Sequence, residues 1–207
     1  MIKNIIFDRS GTLSNDIRPV HEATCIVFRE LGKEPISIEE FKREFTLPYM
    51  NFWNKYFPDL TKKKQDRLFL EAIHKVSEPE PFPGIEVLLE KLYNKKINMV
   101  IFSSHPQKKL DKEMLDNNFT QYFKEILGST HDKTKCIMKV LKRNNFKRNE
   151  TLYVGDMVHD IKTSKKAGIK ILAVSWGYDS KEKLSQANPD YLIENLDELN
   201  NILFKLV

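Results

Sequence analysis

The chain has only two cysteines among its 207 residues, Cys25 and Cys136, each alone in a helical pattern without a CxxC or Cys/His spacing. This argues against a disulfide framework or a cysteine metal site and predicts buried thiols in a reducing compartment. Long apolar runs are also missing. Ile5 to Phe7 is far shorter than a signal-peptide core, and no segment approaches the roughly 18 apolar residues of a membrane span, so no membrane partner and a cytoplasmic location are expected. There is no internal repeat, no low-complexity tract and, between about Ser14 and Pro81, no good strand candidate. Charge of one sign does not dominate. Lys and Arg number 34 against 29 Asp and Glu, a net +5 that suits an anionic ligand. The clusters Lys62-Lys63-Lys64, Lys142-Arg143, Lys147-Arg148 and Lys165-Lys166 fall on predicted helix faces and turns as a solvated surface, and no nucleic-acid partner is expected.

What is present is an ordinary globular composition, 41% hydrophobic and 30% charged, with enough length for one core and a smaller inserted domain. Lys3 to Phe7 predicts a strand buried on both faces. From there to Pro81 the pattern is helical. Ala23, Ile26, Val27, Phe28 and Leu31 form one apolar face that stops at Gly32, Ser37 before Glu40 predicts a capping box, and Leu68, Phe69, Ala72, Ile73 and Val76 form another stripe. Tyr49, Phe52, Trp53, Tyr56 and Phe57 are expected to fill the core of this module. From Ile85 onward helices alternate with short apolar strands at Ile97 to Phe102, Ile126-Leu127, Thr151 to Val154, Ile169 to Ser175 and Tyr191 to Ile193, which is the signature of a parallel sheet. The expected fold is therefore α/β, a doubly wound parallel sheet. Residues 1–14 and 82–207 form its core domain, and residues 15–81 form a small helical domain inserted after strand one.

Three predicted strand ends carry polar residues: Asp8, then Ser103 and Ser104, then Gly155-Asp156 with Asp160. In a doubly wound sheet these ends face one crevice. Carboxylates that approach there repel one another unless a cation joins them, and a hard divalent ion with oxygen ligands fits, Mg²⁺ best. Because Mg²⁺ is commonly held by one or two carboxylates plus a phosphate, the expected ligand is a phosphoryl group.

The series Asp8-Arg9-Ser10-Gly11-Thr12-Leu13, Ser103, a lysine before the helix at Cys136, and Gly155-Asp156-Met157-Val158-His159-Asp160 resembles the four motifs of the haloacid dehalogenase superfamily over nearly the whole chain. Val154 onward, through Trp176-Gly177-Tyr178 to Asn188-Pro189-Asp190-Tyr191, is most similar to its phosphoglycolate phosphatase branch. The resemblance implies that Asp8 is the nucleophile of an aspartyl-phosphate mechanism and that Ser103 binds a phosphoryl oxygen. It also implies a charge-neutralising lysine, with Asp8, Asp156 and the backbone carbonyl of Ser10 binding Mg²⁺. Asp160 would orient the cluster, backbone N–H groups from Arg9 through Gly11 to Thr12 would cradle the phosphate, and residues 15–81 would be a cap that selects the substrate. Lys133, ahead of Lys135 and Lys139, is the expected lysine, although His131-Asp132-Lys133-Thr134 departs from the branch's usual Gly-Lys-Pro. Ser104 competes with Ser103 for the serine role. Asp8 as a turn cap and Asp160 as a helix N-cap are the plainer readings of those residues, and His105 and His159 read as flanking loop residues.

Ser10 stands where phosphatases of this superfamily usually carry a second Asp, which protonates the leaving oxygen and deprotonates the attacking water. Loss of such a group is expected to cost on the order of 10²- to 10⁴-fold in rate. Three functions stay open: a Mg²⁺-dependent phosphohydrolase of a small phosphorylated metabolite, slow or restricted to good leaving groups; a non-hydrolytic phosphate-binding regulator; and a phosphonate hydrolase using a lysine of the insertion such as Lys42 or Lys55. A monomer or weak homodimer is expected.

Overall fold

The computed structural model describes residues 1–130 and 132–207. Its centre is strand β1, Asn4–Asp8, whose five residues are all buried. The strand period of two sends Ile5 and Phe7 into the layer on one face and Ile6 into the layer on the other. The same division holds for β2, Asn98–Phe102, and for β4, Thr151–Gly155. With β3 (Glu125–Leu127), β5 (Lys170–Val174) and β6 (Tyr191–Ile193) they form a sheet in the order β3-β2-β1-β4-β5-β6, parallel throughout. A parallel sheet covered by helices on both faces explains why these strands lack an apolar–polar alternation.

β1 runs one residue further than its apolar stretch suggests, because the pairing continues to Asp8 opposite Phe102. β4 likewise takes in Gly155, while β5 is trimmed at both ends of the expected Ile169 to Ser175. The chain moves from β1 to β2 and β3 on one side, then crosses to β4 on the other. This reversal opens a crevice at the carboxyl ends of β1 and β4, where Asp8 and Asp156 sit.

Residues between β1 and helix α5 (Ile85–Asn94) form α1 (Ile17–Glu30), α2 (Ile38–Glu44), α3 (Met50–Tyr56) and α4 (Lys62–Ile73). Ser37 caps α2 by accepting from the Glu40 N–H at 3.1 Å, but only this half of the expected capping box forms, because Glu40 Oε1 accepts from the Tyr56 hydroxyl at 3.0 Å. Phe28, Phe41, Phe52, Trp53 and Leu68 are buried in a third cluster, which also takes in Met157 and Tyr178 from beyond β4 and β5, with Tyr49, Tyr56 and Phe57 half-buried against it. The entering and leaving chains run side by side as a neck: Asn15 N–H donates to Glu80 O at 2.8 Å and Phe82 N–H to Leu13 O at 3.0 Å. The remaining helices cover the sheet: α6 (Gln107–Asp116), α7 (Lys133–Asn144), α8 (Val158–Ala167), α9 (Lys181–Gln186) and α10 (Leu196–Leu206). Among the described residues no helix is long and apolar enough to cross a membrane. Cys25 and Cys136 are free thiols, half-buried and not fully buried as expected, because each lies at the margin of its helix's apolar stripe.

Candidate active site

Beyond β1 the chain turns sharply over Arg9 to Ser14, with Leu13 and Ser14 N–H groups both donating to Arg9 O at 3.0 Å. Gly11 makes the turn possible: its φ is +68°, and a side chain there would collide with the Asp156 carboxylate. Thr12, fully buried, donates its hydroxyl to Asp156 Oδ1 at 3.1 Å. Tyr178 N–H donates to Asp156 Oδ2 at 2.7 Å, so both oxygens of Asp156 are held from opposite sides.

Lys133 is the first residue of α7, and its ammonium turns inward to donate to Asp8 Oδ2 and to Asp160 Oδ1, each at 2.7 Å. Lys135 instead faces solvent and pairs with Asp132, and Lys139 is exposed. Helix α8 begins at Val158, earlier than its expected start near Asp160. Asp160 therefore lies in the first turn, where Oδ2 accepts from Met157 N–H at 3.1 Å while Oδ1 faces Lys133. It is at once a helix-terminus acid and a member of the cluster. Ser103 is buried, its Oγ accepting from His105 N–H at 3.1 Å, whereas Ser104 is exposed on the loop beyond.

Asp8, Asp156 and Asp160 each offer an oxygen within 4.8 Å of the others, and all three are buried. Burial, and then the neighbouring Asp160, push the Asp8 carboxyl up to about 7 even though Lys133 opposes the rise. Asp156 is held well above the carboxylate range by burial and by Asp160 and Asp8, against the pull of the Tyr178 N–H and Lys133. Burial alone lowers the Lys133 ammonium, but Asp160 and Asp8 beside it keep it above its ordinary value. One ammonium against three carboxylates leaves negative charge in excess at a point lined by hard oxygen donors. That donor set fits a small divalent cation such as Mg²⁺.

The loop differs from the expected phosphate cradle. Arg9 N–H donates to Phe102 O at 2.9 Å, Gly11 N–H to Asp16 Oδ1 at 2.9 Å, and Thr12 N–H to Arg9 O at 3.4 Å. These donors satisfy the tight turn itself, so among the described residues the free backbone donor of the Arg9–Thr12 stretch is the Ser10 N–H. The Arg9 side chain turns away from the carboxylates and is buried between Asp16 at 2.8 Å and Glu113 at 2.9 Å. Its Nη1 also lies 3.3 Å from Ser10 Oγ and 3.4 Å from His105 Nδ1. Burial, then Arg9 and Lys109, lower the His105 imidazole to about 3, so it is neutral near pH 7.

Sequence reasoning gave no site role to Asp16, to Glu113 or to the segment after β5, although Trp176-Gly177-Tyr178 forms part of the family resemblance. The signal for that segment was present: Trp176-Gly177-Tyr178-Asp179 follows a strand end as Asp8 and Asp156 do. Trp176 Nε1–H donates to Thr12 O at 3.2 Å, and Asp179 Oδ2 accepts from Val158 N–H at 2.7 Å. Tyr153, fully buried on β4 among these carboxylates, was missed as well.

Residues 5–174 match the family described as haloacid dehalogenase-like hydrolase, which is most of the chain. The chain belongs to that family. It is 25% identical to a phosphoglycolate phosphatase of Vibrio parahaemolyticus, over 98% of this chain and 96% of that one. It is 26% identical to the pyrophosphatase PpaX of Oceanobacillus iheyensis, over 98% and 97%. Among solved structures, a conserved haloacid dehalogenase-like protein from Agrobacterium tumefaciens superposes with a TM-score of 0.81 at 18% identity, covering 100% of this chain and 99% of that one. A haloacid dehalogenase-like family hydrolase from Streptococcus pneumoniae gives 0.76 at 21% identity, with 98% of each chain covered. These two likenesses establish the shared fold.

Proposed function

We propose that this protein is a Mg²⁺-dependent phosphohydrolase that acts on a small phosphorylated metabolite through an aspartyl-phosphate on Asp8. The observation that carries the proposal is the Lys133 bridge between Asp8 and Asp160 beside Asp156, at the crevice where a doubly wound sheet binds its ligand. Asp8, Asp156 and the Ser10 carbonyl, with Asp160 behind them, would hold Mg²⁺, which when bound would supply positive charge against the phosphoryl oxygens. Asp8 attacks phosphorus, and the bond to the leaving oxygen breaks with its electron pair departing on that oxygen. Water then cleaves the acyl phosphate, releasing inorganic phosphate and restoring the carboxylate. Lys133 neutralises charge on the transferring group, and the Ser103 hydroxyl and Ser10 N–H donate to its oxygens. Residues 15–81 act as the cap that shapes the substrate side of the crevice.

Ser10 sets the rate. Its hydroxyl cannot supply a proton near pH 7, and the adjacent Arg9 Nη1 is a donor that never accepts one, so the leaving group departs unprotonated. This favours leaving groups stable as anions, as in acyl phosphates, aryl phosphates or a phosphoanhydride; a pyrophosphatase among the relatives is consistent with the last. A panel of alkyl phosphomonoesters, acyl phosphates, pyrophosphate and p-nitrophenyl phosphate, assayed with Mg²⁺ on the parent and on Ser10→Asp, tests this. The parent is expected to favour the acyl and aryl members, and Ser10→Asp to gain roughly 10²-fold on alkyl esters. If neither protein hydrolyses any member while both bind phosphate, the non-hydrolytic reading replaces this one.

A further inference from the structure

The segment Ser175 to Asp179 has two faces. Towards the crevice, Tyr178 N–H holds Asp156 Oδ2 at 2.7 Å, and Gly177 packs so closely that a side chain there would collide with the same carboxylate. Trp176 reaches Thr12 O, and Thr12 in turn holds Asp156 Oδ1. Towards the insertion, the Tyr178 ring lies 5.4 Å from Phe45 and 6.3 Å from Phe41 between ring centres. Two lysines cross the same seam in opposite directions. Lys42 of α2 donates to Ser175 O at 3.1 Å, and Lys183 of α9 donates to Lys42 O at 3.1 Å and to Phe45 O at 2.7 Å while pairing with Asp179 at 3.2 Å. The exposed carbonyls at the end of α2 are thus capped from the core domain and not from within the insertion.

We propose that Tyr178 is a positioning residue that couples docking of α2 on the core to cation binding at Asp156. Its ring is seated by the insertion, and its own N–H aims the carboxylate, so anything that unseats the ring loosens the ligand. Because coupling between two equilibria is reciprocal, cation binding also favours the docked insertion. This rests on the cation-site reading given above, and the test separates the two.

The test is direct titration of the full chain with Mn²⁺, followed by electron paramagnetic resonance of the free ion, with hydrogen exchange over residues 38–45 measured with and without saturating Mg²⁺. Phe45→Ala, Tyr178→Ala and Lys183→Met, which removes the half-buried ammonium of the seam, are each expected to weaken Mn²⁺ binding roughly 5- to 50-fold. Tyr178→Phe keeps both ring and N–H and is expected to bind as the parent does. Mg²⁺ is expected to slow exchange over residues 38–45 in the parent and not in Tyr178→Ala. Unchanged Mn²⁺ affinity in Lys183→Met and Phe45→Ala, with binding lost in Asp156→Asn, would overturn the coupling and leave the cation site standing. Unchanged affinity in Asp156→Asn would instead remove the cation site itself.

Discussion

Two charge clusters meet at consecutive residues, Asp8 at the end of β1 and Arg9 at the start of the turn, and they differ in what fills their middle. Around Asp8, three carboxylates converge on one point with a single ammonium at the edge. Around Arg9, the guanidinium occupies the middle itself, between Asp16 on the neck and Glu113 on α6. The first cluster gathers the oxygens of three carboxylates round one point; the second sets two carboxylates on either side of one cation, Asp16 hydrogen-bonded to it and Glu113 paired by charge alone, its buried oxygens without a hydrogen-bond partner. Burial of charge alone does not mark a site. Convergence of carboxylate oxygens on one point is the better mark, and by it the Asp8 cluster is the proposed place for chemistry, while the Arg9 guanidinium ties the neck of the insertion to α6.

Breaking that tie is expected to have the largest effect on stability. Arg9→Met leaves Asp16 buried and Glu113 half-buried without their partner and should cost about 3 to 5 kcal/mol in urea unfolding. Equal stability of Arg9→Met and the parent would mean that the second cluster ties nothing. Asp156→Asn should do the reverse, abolishing Mn²⁺ binding while leaving the cation-free protein as stable as the parent or more so by about 1 to 2 kcal/mol. The sign follows from Asp156 and Asp8 both being raised: near pH 7 their ionised forms are costly in the folded state. Cation-free stability should accordingly fall as pH rises from about 4 towards 7, where the unfolded chain has released protons that Asp8, at about 7, still holds.

A smaller effect of opposite sign belongs to the Arg9 side. His105 titrates near 6.5 when unfolded and near 3 when folded, so its contribution is intact above pH 6.5 and is lost as pH falls towards 3. His105→Gln should therefore retain more of its neutral-pH stability at pH 5.5 than the parent does, by on the order of 1 kcal/mol. Equal acid sensitivity of the two proteins would show that the imidazole is not held neutral beside Arg9.

What the chain order revealed divides along the same line. Asp8, Ser103, Asp156 and Asp160 were legible because each follows an apolar run that becomes a strand, and the sheet brings strand ends together. Lys133 was legible from its place at the start of a helix, where the first turn points towards the same crevice. The Arg9 side chain was not, since its direction depends on Asp16 and on Glu113, which lies on an element distant in sequence. That the Arg9, Gly11 and Thr12 N–H groups have partners within the fold has a local reason: a turn this tight uses its own N–H groups to hold itself. Tyr178 entered the resemblance without a role at the site, because its contribution to Asp156 is a backbone N–H, which every residue but proline carries and no sequence pattern singles out. The thiols were misjudged in depth because periodicity locates a helix face but not its margin.

The central claim is that Asp8 becomes phosphorylated, and it is tested most directly by acid-quenching the protein after brief incubation with Mg²⁺ and ³²P-labelled acetyl phosphate. The parent is expected to carry acid-stable label that hydroxylamine removes, the behaviour of an acyl phosphate, and Asp8→Asn to carry none. Hydroxylamine-sensitive label of equal amount on Asp8→Asn would contradict it.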